Sequence, residues 1–362
     1  MNAGIYIHVP FCAVKCPYCD FYSGQYRAKD AAAFTEAVCR NLAALPQAMP
    51  ADTVYFGGGT PSLLPPEMTG RMLAAAKARL TVLPDAEITL EANPLTVTPE
   101  RLAAWRAAGI NRLSVGVQSF SDETLRILGR RHTAEQAKKA VLAAHDAGFR
   151  NVSVDLMLGL SRQDGADLRQ ELETAVSLPV THISAYLLKI EPETPFGKQP
   201  PALLSPDEAA DRYLEMHGFL TAAGFRHYEI SNFAREGFAS RHNCKYWRCL
   251  PYYGIGPAAH SCHDGMRFAV PRDLAAFTAA AVQPEEVTDE AALTDGERIM
   301  LGLRLSEGIC PADYPASEQA LCLAAAPLIP RYLSAADGRL RMTPEGWLVS
   351  NSVLAALLRD IP

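Results

Sequence analysis

The chain has 362 residues, 49% of them hydrophobic and 20% charged, enough to bury one large core and a smaller second unit. A net charge of -6 argues against a nucleic-acid backbone as the main partner, and charge or proline interrupts every apolar stretch before the ~18 residues that a membrane span needs. Nine cysteines, with no charged and then apolar leader at the start, point to a reducing, cytoplasmic setting and leave only peripheral contact with a membrane open.

In chain order, Ile5-Tyr6-Ile7 reads as a first strand that runs into Cys12, Cys16 and Cys19. Thiolates in the spacing C-x3-C-x2-C can hold three corners of a [4Fe-4S] cube from one short loop, leaving the fourth iron open to a small chelating molecule. A ferredoxin would need a fourth cysteine. A structural zinc would need a fourth Cys or His, for which His8 precedes the loop while Cys262 and His263 lie far along the chain.

The second strand, Thr53-Val-Tyr-Phe56, leads into Gly57-Gly58-Gly59-Thr60-Pro61. Glycines there let backbone amides and carbonyls approach a ligand with no Cβ in the way, or simply make a tight turn. The Gly-Lys-Ser/Thr ending of a P-loop is missing, so phosphate is not indicated. Ile88-Thr-Leu90 is a third strand, with Glu91 at its end as an acceptor for hydroxyl or ammonium groups, or as a cap or ion-pair partner.

Strands over Leu113–Val117 and Val152–Leu156 bring Gln118 and Asp155, polar groups that need partners in apolar surroundings. Between them, Arg130 offers either a fork for a carboxylate or a solvated surface charge. Ala108-Gly109, Ala147-Gly148 and Ala223-Gly224 each close a helical pattern before a strand, in steps of one and then two ~38-residue β/α units. The missing copy falls at Val180–Leu188. Thr98-Pro99, Thr133 with Gln136, and Ser205-Pro206 with Glu208 mark helix starts in the same phase. This alternation is the pattern of an α/β barrel or open doubly wound sheet, whose functional groups gather where the strands end.

The rhythm breaks at Phe277. Residues 1–276 are expected to hold the β/α region and 277–362 a small C-terminal domain: a helix from Asp295, a strand over Gly338–Thr343, a turn at Pro344–Gly346, a second strand at Trp347–Val349 and a helix to Leu358. That order suits a winged-helix-like module, and the acidic charge favours packing or partner docking over DNA binding.

The cysteine loop followed by Gly57-Gly-Gly-Thr-Pro61 resembles the radical S-adenosylmethionine (SAM) proteins. Within them the chain is similar to the oxygen-independent coproporphyrinogen III oxidase group (dehydrogenases), and most closely to its HemW branch of haem chaperones. The likeness is carried by Tyr6-Ile-His-Val-Pro-Phe-Cys12, Gly116-Val-Gln-Ser-Phe120, Leu128-Gly-Arg-Arg-His132, Tyr228-Glu-Ile-Ser-Asn-Phe233, Arg241-His-Asn-Cys-Lys-Tyr-Trp247 and Gly254-Ile-Gly-Pro-Ala-Ala-His-Ser261. It implies an open partial (β/α)6 radical SAM barrel with a wide lateral mouth, followed by a small helical or winged-helix-like domain. It also implies a [4Fe-4S] cluster on Cys12, Cys16 and Cys19, with SAM chelating the free iron and touching Tyr6, Gly58, Gly59, Thr60, Glu91, Gln118, Arg130 and Asp155. Electron transfer into SAM would yield methionine and a 5'-deoxyadenosyl radical.

Two departures separate the chain from the dehydrogenases. Phe21 stands where they carry a further cysteine, and eleven residues precede Cys12 where they carry a long extension. His242-Asn-Cys-Lys-Tyr-Trp247, near the end of the barrel region, instead matches the H-N-x-x-Y-W motif of the haem chaperones. It offers an imidazole for iron and aromatic faces for a porphyrin, or a structural histidine; Cys244, Cys249 and the Cys310-Pro311 pair are further thiols for haem or for ordinary burial and turns. The reading is therefore a chaperone that binds a cluster, SAM and haem as cargo. Its partners would be a haem donor, haem-accepting respiratory proteins, and a reductant such as flavodoxin or ferredoxin, with dimerisation open. The competing reading is a radical SAM enzyme that decarboxylates a porphyrin or methylates and opens haem, and a plain electron-transfer protein is a third.

Overall fold

The computed structural model describes residues 1–161, 165–359 and 361. Strands and helices alternate: β1 (Ala3–Val9), α1 (Ala28–Ala44), β2 (Pro50–Gly58), α2 (Pro66–Arg79), β3 (Thr81–Ala92), α3 (Pro99–Ala108), β4 (Arg112–Gln118), α4 (Ala134–Asp146), β5 (Asn151–Leu158), α5 (Gly165–Ser177), β6 (His182–Leu187) and α6 (Pro206–Ala222). From β1 to β6 each strand pairs in parallel with the next. Beyond β6 the sheet adds β7 (Arg226–Glu229) and β8 (Asn232–Ala234), with β8 lying between β6 and β7. On the other side of β1, past α7 (Arg241–Trp247), it adds β9 (Tyr252–Ile255), β10 (His260–His263), β11 (Met266–Ala269) and β12 (Glu286–Asp289). The edges, β7 and β12, do not meet, so the barrel is partial and open.

The junctions form for the reasons the sequence suggests. Gly109, Gly148 and Gly224 take positive φ values of 109°, 90° and 84°, a conformation that closes a helix at little cost only for glycine. Thr98, Thr133 and Ser205 each accept a first-turn N–H of the helix they cap, and Gln136 and Glu208 complete reciprocal capping boxes. The sixth strand forms where the periodic spacing places it, although Leu178-Pro179 rather than a glycine follows its helix.

Period-two alternation decides what faces where. Ile5, Ile7, Val54, Phe56, Leu90, Leu113, Val115, Val152, Val154 and Ile183 are buried in one continuous core with helix residues such as Phe34, Val38, Leu73, Trp105 and Val141. The intervening positions are Tyr6, His8, Thr53, Tyr55, Thr89, Glu91, Arg112, Ser114, Ser153, Asp155 and Ser184, which line the concave side. Each buried aliphatic side chain contributes about 1.5–3 kcal/mol, so slipping one strand by one residue would drive carboxylates into the helix layer and is strongly disfavoured.

The last strand of the sheet, β12, lies beyond the expected boundary at Phe277, and Phe277 itself is buried in a helix, Leu274–Ala279, packed in the main core. In the C-terminal region the expected second strand at Trp347–Val349 is instead the end of one helix, Pro344–Leu348, and the turn at Val349 into the next, Ser350–Leu357. The hairpin pairs Leu333–Ala336 with Arg339–Met342 about an Asp337-Gly338 turn, both at positive φ. Thr343 then caps a helix over Pro344–Leu348, so proline at its first position starts a helix where a turn was read. Trp347 Nε1 donates to the Leu303 carbonyl at 3.0 Å within this region, and its ring meets the His227 ring of β7 edge-on with centroids 4.6 Å apart, tying the region to the sheet. No helix among the described residues is long and apolar enough to cross a membrane.

Candidate cluster and cofactor site

β1 hands the chain directly to the cysteine loop. Phe11–Cys12 and Gly24–Gln25 form a two-residue parallel pair, and the Gly24 and Tyr26 N–H groups donate to the Pro10 and Cys12 carbonyls at 2.9 and 3.1 Å. From β2, the Gly59 and Thr60 N–H groups donate to the Val9 and Phe11 carbonyls at 2.8 and 2.7 Å. The loop is thus clamped at both ends while Cys12, Cys16 and Cys19 remain free thiols with partial exposure. The Thr60 hydroxyl lies 3.5 Å from Cys12 Sγ, and Arg130 Nη1 lies 3.4 Å from Cys16 Sγ. Among the described residues no three His, Cys, Asp or Glu side chains close on one point, as a mononuclear zinc site requires.

The triple glycine has a packing role of its own. A Cβ on Gly57 would sit 2.9 Å from the Tyr6 and Tyr55 rings, one on Gly58 would meet the His8 ring at 2.7 Å, and one on Gly59 would meet the Phe11 carbonyl at 2.6 Å. The space is filled by protein. Gly58 also has φ of 106°, and its N–H donates to Glu91 Oε2 at 3.1 Å. These glycines therefore let β2 close against β1 and the loop, with the Gly59 amide bonded to β1 and the Gly58 amide to Glu91.

The remaining strand-end residues gather on the concave side. Glu91 Oε1 accepts from the Tyr55 hydroxyl at 2.8 Å, and burial raises its carboxyl to about 7 against the pull of that hydroxyl. Asp155 accepts from the Ser114 hydroxyl at 3.3 Å; burial raises its pKa too, opposed first by the Ser184 hydroxyl. Tyr6 shares a 3.1 Å hydrogen bond with His8 Nδ1. Gln118 holds the left-handed conformation at φ of 69°, and a Cβ on Gly116 would stand 3.1 Å from its Nε2 and 3.6 Å from Arg130 Nη2. Arg130 is no solvated charge: Nη2 donates to the Gly116 carbonyl at 2.7 Å, and its buried Nε has no partner.

The family models and relatives agree with this geometry. A model of the radical SAM superfamily matches residues 6–175, and one of the HemN C-terminal domain matches residues 296–349. A Synechocystis protein named heme chaperone HemW is 39% identical over 88% of this chain and 82% of its own length. Proteins of the same name from Escherichia coli and Mycobacterium tuberculosis are 43% and 36% identical, covering 71% and 98% of this chain and 69% and 94% of their own. The chain belongs to the HemW branch of the radical SAM superfamily. The solved structure of E. coli HemN, titled a coproporphyrinogen III oxidase and radical SAM enzyme, superposes with a TM-score of 0.83 over 98% of this chain and 90% of that one; at 22% identity it shows the shared fold.

The groups that radical SAM proteins carry fit these residues. Three free thiols on one clamped loop suit the corners of a cube, and the adjoining floor combines two carboxylates, Gln118 and two buried groups without partners, Arg130 Nε and Thr89 Oγ1. Cys12, Cys16 and Cys19 could hold the cluster, and Glu91, Asp155, Gln118, Arg130, Tyr6 and the Gly58–Thr60 edge surround the place a ligand of its open corner would occupy.

His242 touches this assembly only through its ring, which stacks on Tyr6 with centroids 6.2 Å apart. It sits on α7 at the opposite end of the strands, 1% exposed, with Nδ1 2.7 Å from the Thr53 hydroxyl and Nε2 2.9 Å from the Tyr246 hydroxyl. Its ring stacks on Tyr55 with centroids 5.1 Å apart, and burial, followed by Lys245, lowers its pKa to about 3. Glu87 accepts the first N–H groups of α7, those of Arg241 and His242, at 3.1 Å each. Both ring nitrogens are used, the structural role that the sequence left open beside a haem ligand, and the H-N-x-x-Y-W segment fills the barrel at this end. Cys244 is buried and its thiol is pushed up to about 12 by burial; Cys310 leads into a turn at Pro311–Asp313.

Sequence reasoning missed Tyr55, Thr89, Ser114 and His8, which pack against the site from neighbouring strands. Their signal was the alternation itself: each lies two residues from a singled-out position, or directly across from one in register, as Tyr55 does from Tyr6.

Proposed function

We propose that this protein is a haem chaperone that carries a [4Fe-4S] cluster on Cys12, Cys16 and Cys19, binds SAM at the cluster's open corner, and passes haem to respiratory haem proteins. The observation that supports this most is the near full-length similarity to proteins named heme chaperone HemW, joined to a clamped three-cysteine loop beside a polar floor. When bound, the cluster would supply an electron to SAM. The chain's own residues do the positioning. Arg130 places positive charge against Cys16 Sγ while anchored on Gly116, which fixes the loop relative to β4. Glu91 on β3 and Asp155 on β5 hold acceptors on either side of β4 for hydroxyl and ammonium donors.

Incubating anaerobically reconstituted protein with SAM, reductant and coproporphyrinogen III, and then with haem, tests this reading. It expects SAM binding, no protoporphyrinogen, stable haem uptake and transfer to an apo-acceptor. Formation of protoporphyrinogen or of a modified tetrapyrrole would overturn it.

A further inference from the structure

The fold leaves one histidine unused. Of the nine histidines in the sequence, eight have a ring nitrogen in a hydrogen bond, and His260 is the exception among the described residues. Its place in the sheet is specific. β9 runs parallel to β1 with Tyr252 beside Gly4 and Gly254 beside Tyr6, and antiparallel β10 sets Cys262 opposite Tyr252. Residues two apart share a face, so His260 lies on the concave face with Tyr6 and His8, and it is exposed there.

Arg272, just past β11, is also exposed and has neither hydrogen bond nor ion pair among the described residues. His260 pairs with Ala269 across β10 and β11, and the Val270 N–H donates to the Ala259 carbonyl at 2.8 Å, so the chain carries Arg272 past His260; the Arg272 charge disfavours protonation of both His8 and His260, after the larger effect of burial. The cysteine loop reaches the same spot. The Tyr22 carbonyl lies 2.9 Å from His8 Nε2, and the Tyr22 hydroxyl accepts from the Leu274 N–H at 3.0 Å, two residues after Arg272. Beside Tyr22, Phe21 is 58% exposed, an unusual display for a large aromatic residue.

An available imidazole and an available guanidinium, reached by a loop whose next residue is an exposed phenylalanine, match one class of ligand: a flat metal-centred macrocycle with carboxylates at its edge. We propose that His260 is the axial ligand to the iron of a haem held beside the cysteine loop, with Arg272 receiving a propionate and Phe21 covering part of the ring. Imidazole is a common protein ligand to haem iron, and the arginine fork matches carboxylate geometry. This assignment rests on the haem-chaperone reading and gives the cargo a site at the cluster end of the barrel, opposite the buried His242.

Anaerobic titration of the full-length protein with haem, read by absorption and electron paramagnetic resonance, tests it. His260→Ala should lose the histidine-ligated spectrum and bind at least tenfold more weakly, with the spectrum partly restored by added imidazole and the thermal midpoint unchanged. Arg272→Gln should weaken binding of haem severalfold but leave binding of haem dimethyl ester, which lacks free carboxylates, as in the parent. A His260→Ala spectrum and affinity equal to the parent's would overturn the site. Failure of the unaltered protein to take up haem would instead overturn the chaperone reading on which the site rests.

Discussion

Glu91→Gln should make the unloaded protein more stable above neutral pH while weakening its hold on SAM. The carboxyl sits among Tyr55, Gly58 and Asp155 with its pKa raised from 4.5 to about 7, mainly by burial. A raised carboxyl favours folding when protonated: below pH 4.5 it costs nothing, between 4.5 and 7 the unfolded chain releases its proton first and stability falls, and above 7 the deficit is constant. At 1.36 kcal/mol per unit the deficit would be about 3 kcal/mol, and partial exposure of the side chain trims it to about 2 kcal/mol. Glutamine keeps an acceptor for the Gly58 N–H and can donate to the Tyr55 oxygen, so it removes the charge and little else. Urea unfolding of unloaded protein at pH 5 and pH 8 should show the difference between the two pH values shrink by about 2 kcal/mol in the variant. SAM affinity of the cluster-loaded protein should fall tenfold or more, since a hydrogen bond to a charged group is worth about 1.5–3 kcal/mol. In the parent that affinity should rise with pH up to about 7 and then level off, because a donor on SAM competes with the proton. An unchanged difference between pH 5 and pH 8 in Glu91→Gln would refute the buried, charge-strained carboxyl.

Arg130→Gln should still assemble a cluster but shift its reduction potential to more negative values, because a positive charge beside Cys16 Sγ is lost; a potentiometric titration with the same midpoint as the parent would contradict that contact. Gly58→Ala forces a Cβ to 2.7 Å from the His8 ring at φ of 106°, so iron content after reconstitution should drop sharply, and full loading would show that the β2 clamp is dispensable. His242→Ala leaves the Thr53 and Tyr246 hydroxyls without their partner and opens a hole beneath Tyr55, which should cost about 2–4 kcal/mol of stability in denaturant unfolding while haem affinity stays as in the parent.

Much of the barrel is legible because local signals and the global repeat agree. Gly109, Gly148 and Gly224 close helices in the register the spacing requires, and Thr98, Thr133 and Ser205 open them. The polar positions Glu91, Gln118 and Asp155 stand out because they interrupt apolar strands, and the fold brings them to one side. What stays hidden depends on contacts distant in sequence. Short strands such as Tyr252–Ile255 and His260–His263 extend the sheet only because β1 offers an edge. Trp347 reads as strand until Thr343-Pro344 is recognised as a helix start. The neighbours of His242 and of the glycines at 57–59, among them Thr53, Tyr246, His8 and Phe11, are contacts that no local pattern announces. His260 carries the reverse lesson, since its lack of a hydrogen-bond partner among the described residues is visible only once all nine histidines are placed.

The most direct test of haem delivery is a handover measurement: reconstituted protein loaded with haem, mixed with an apo-form respiratory haem protein, and followed by the acceptor's spectrum and activity. Delivery predicts that haem appears in the acceptor faster than from free haem at the same concentration, and that changing any of Cys12, Cys16 and Cys19 to alanine alters the rate or its dependence on SAM. Haem that stays on this protein, or transfer no faster than from solution, would contradict it.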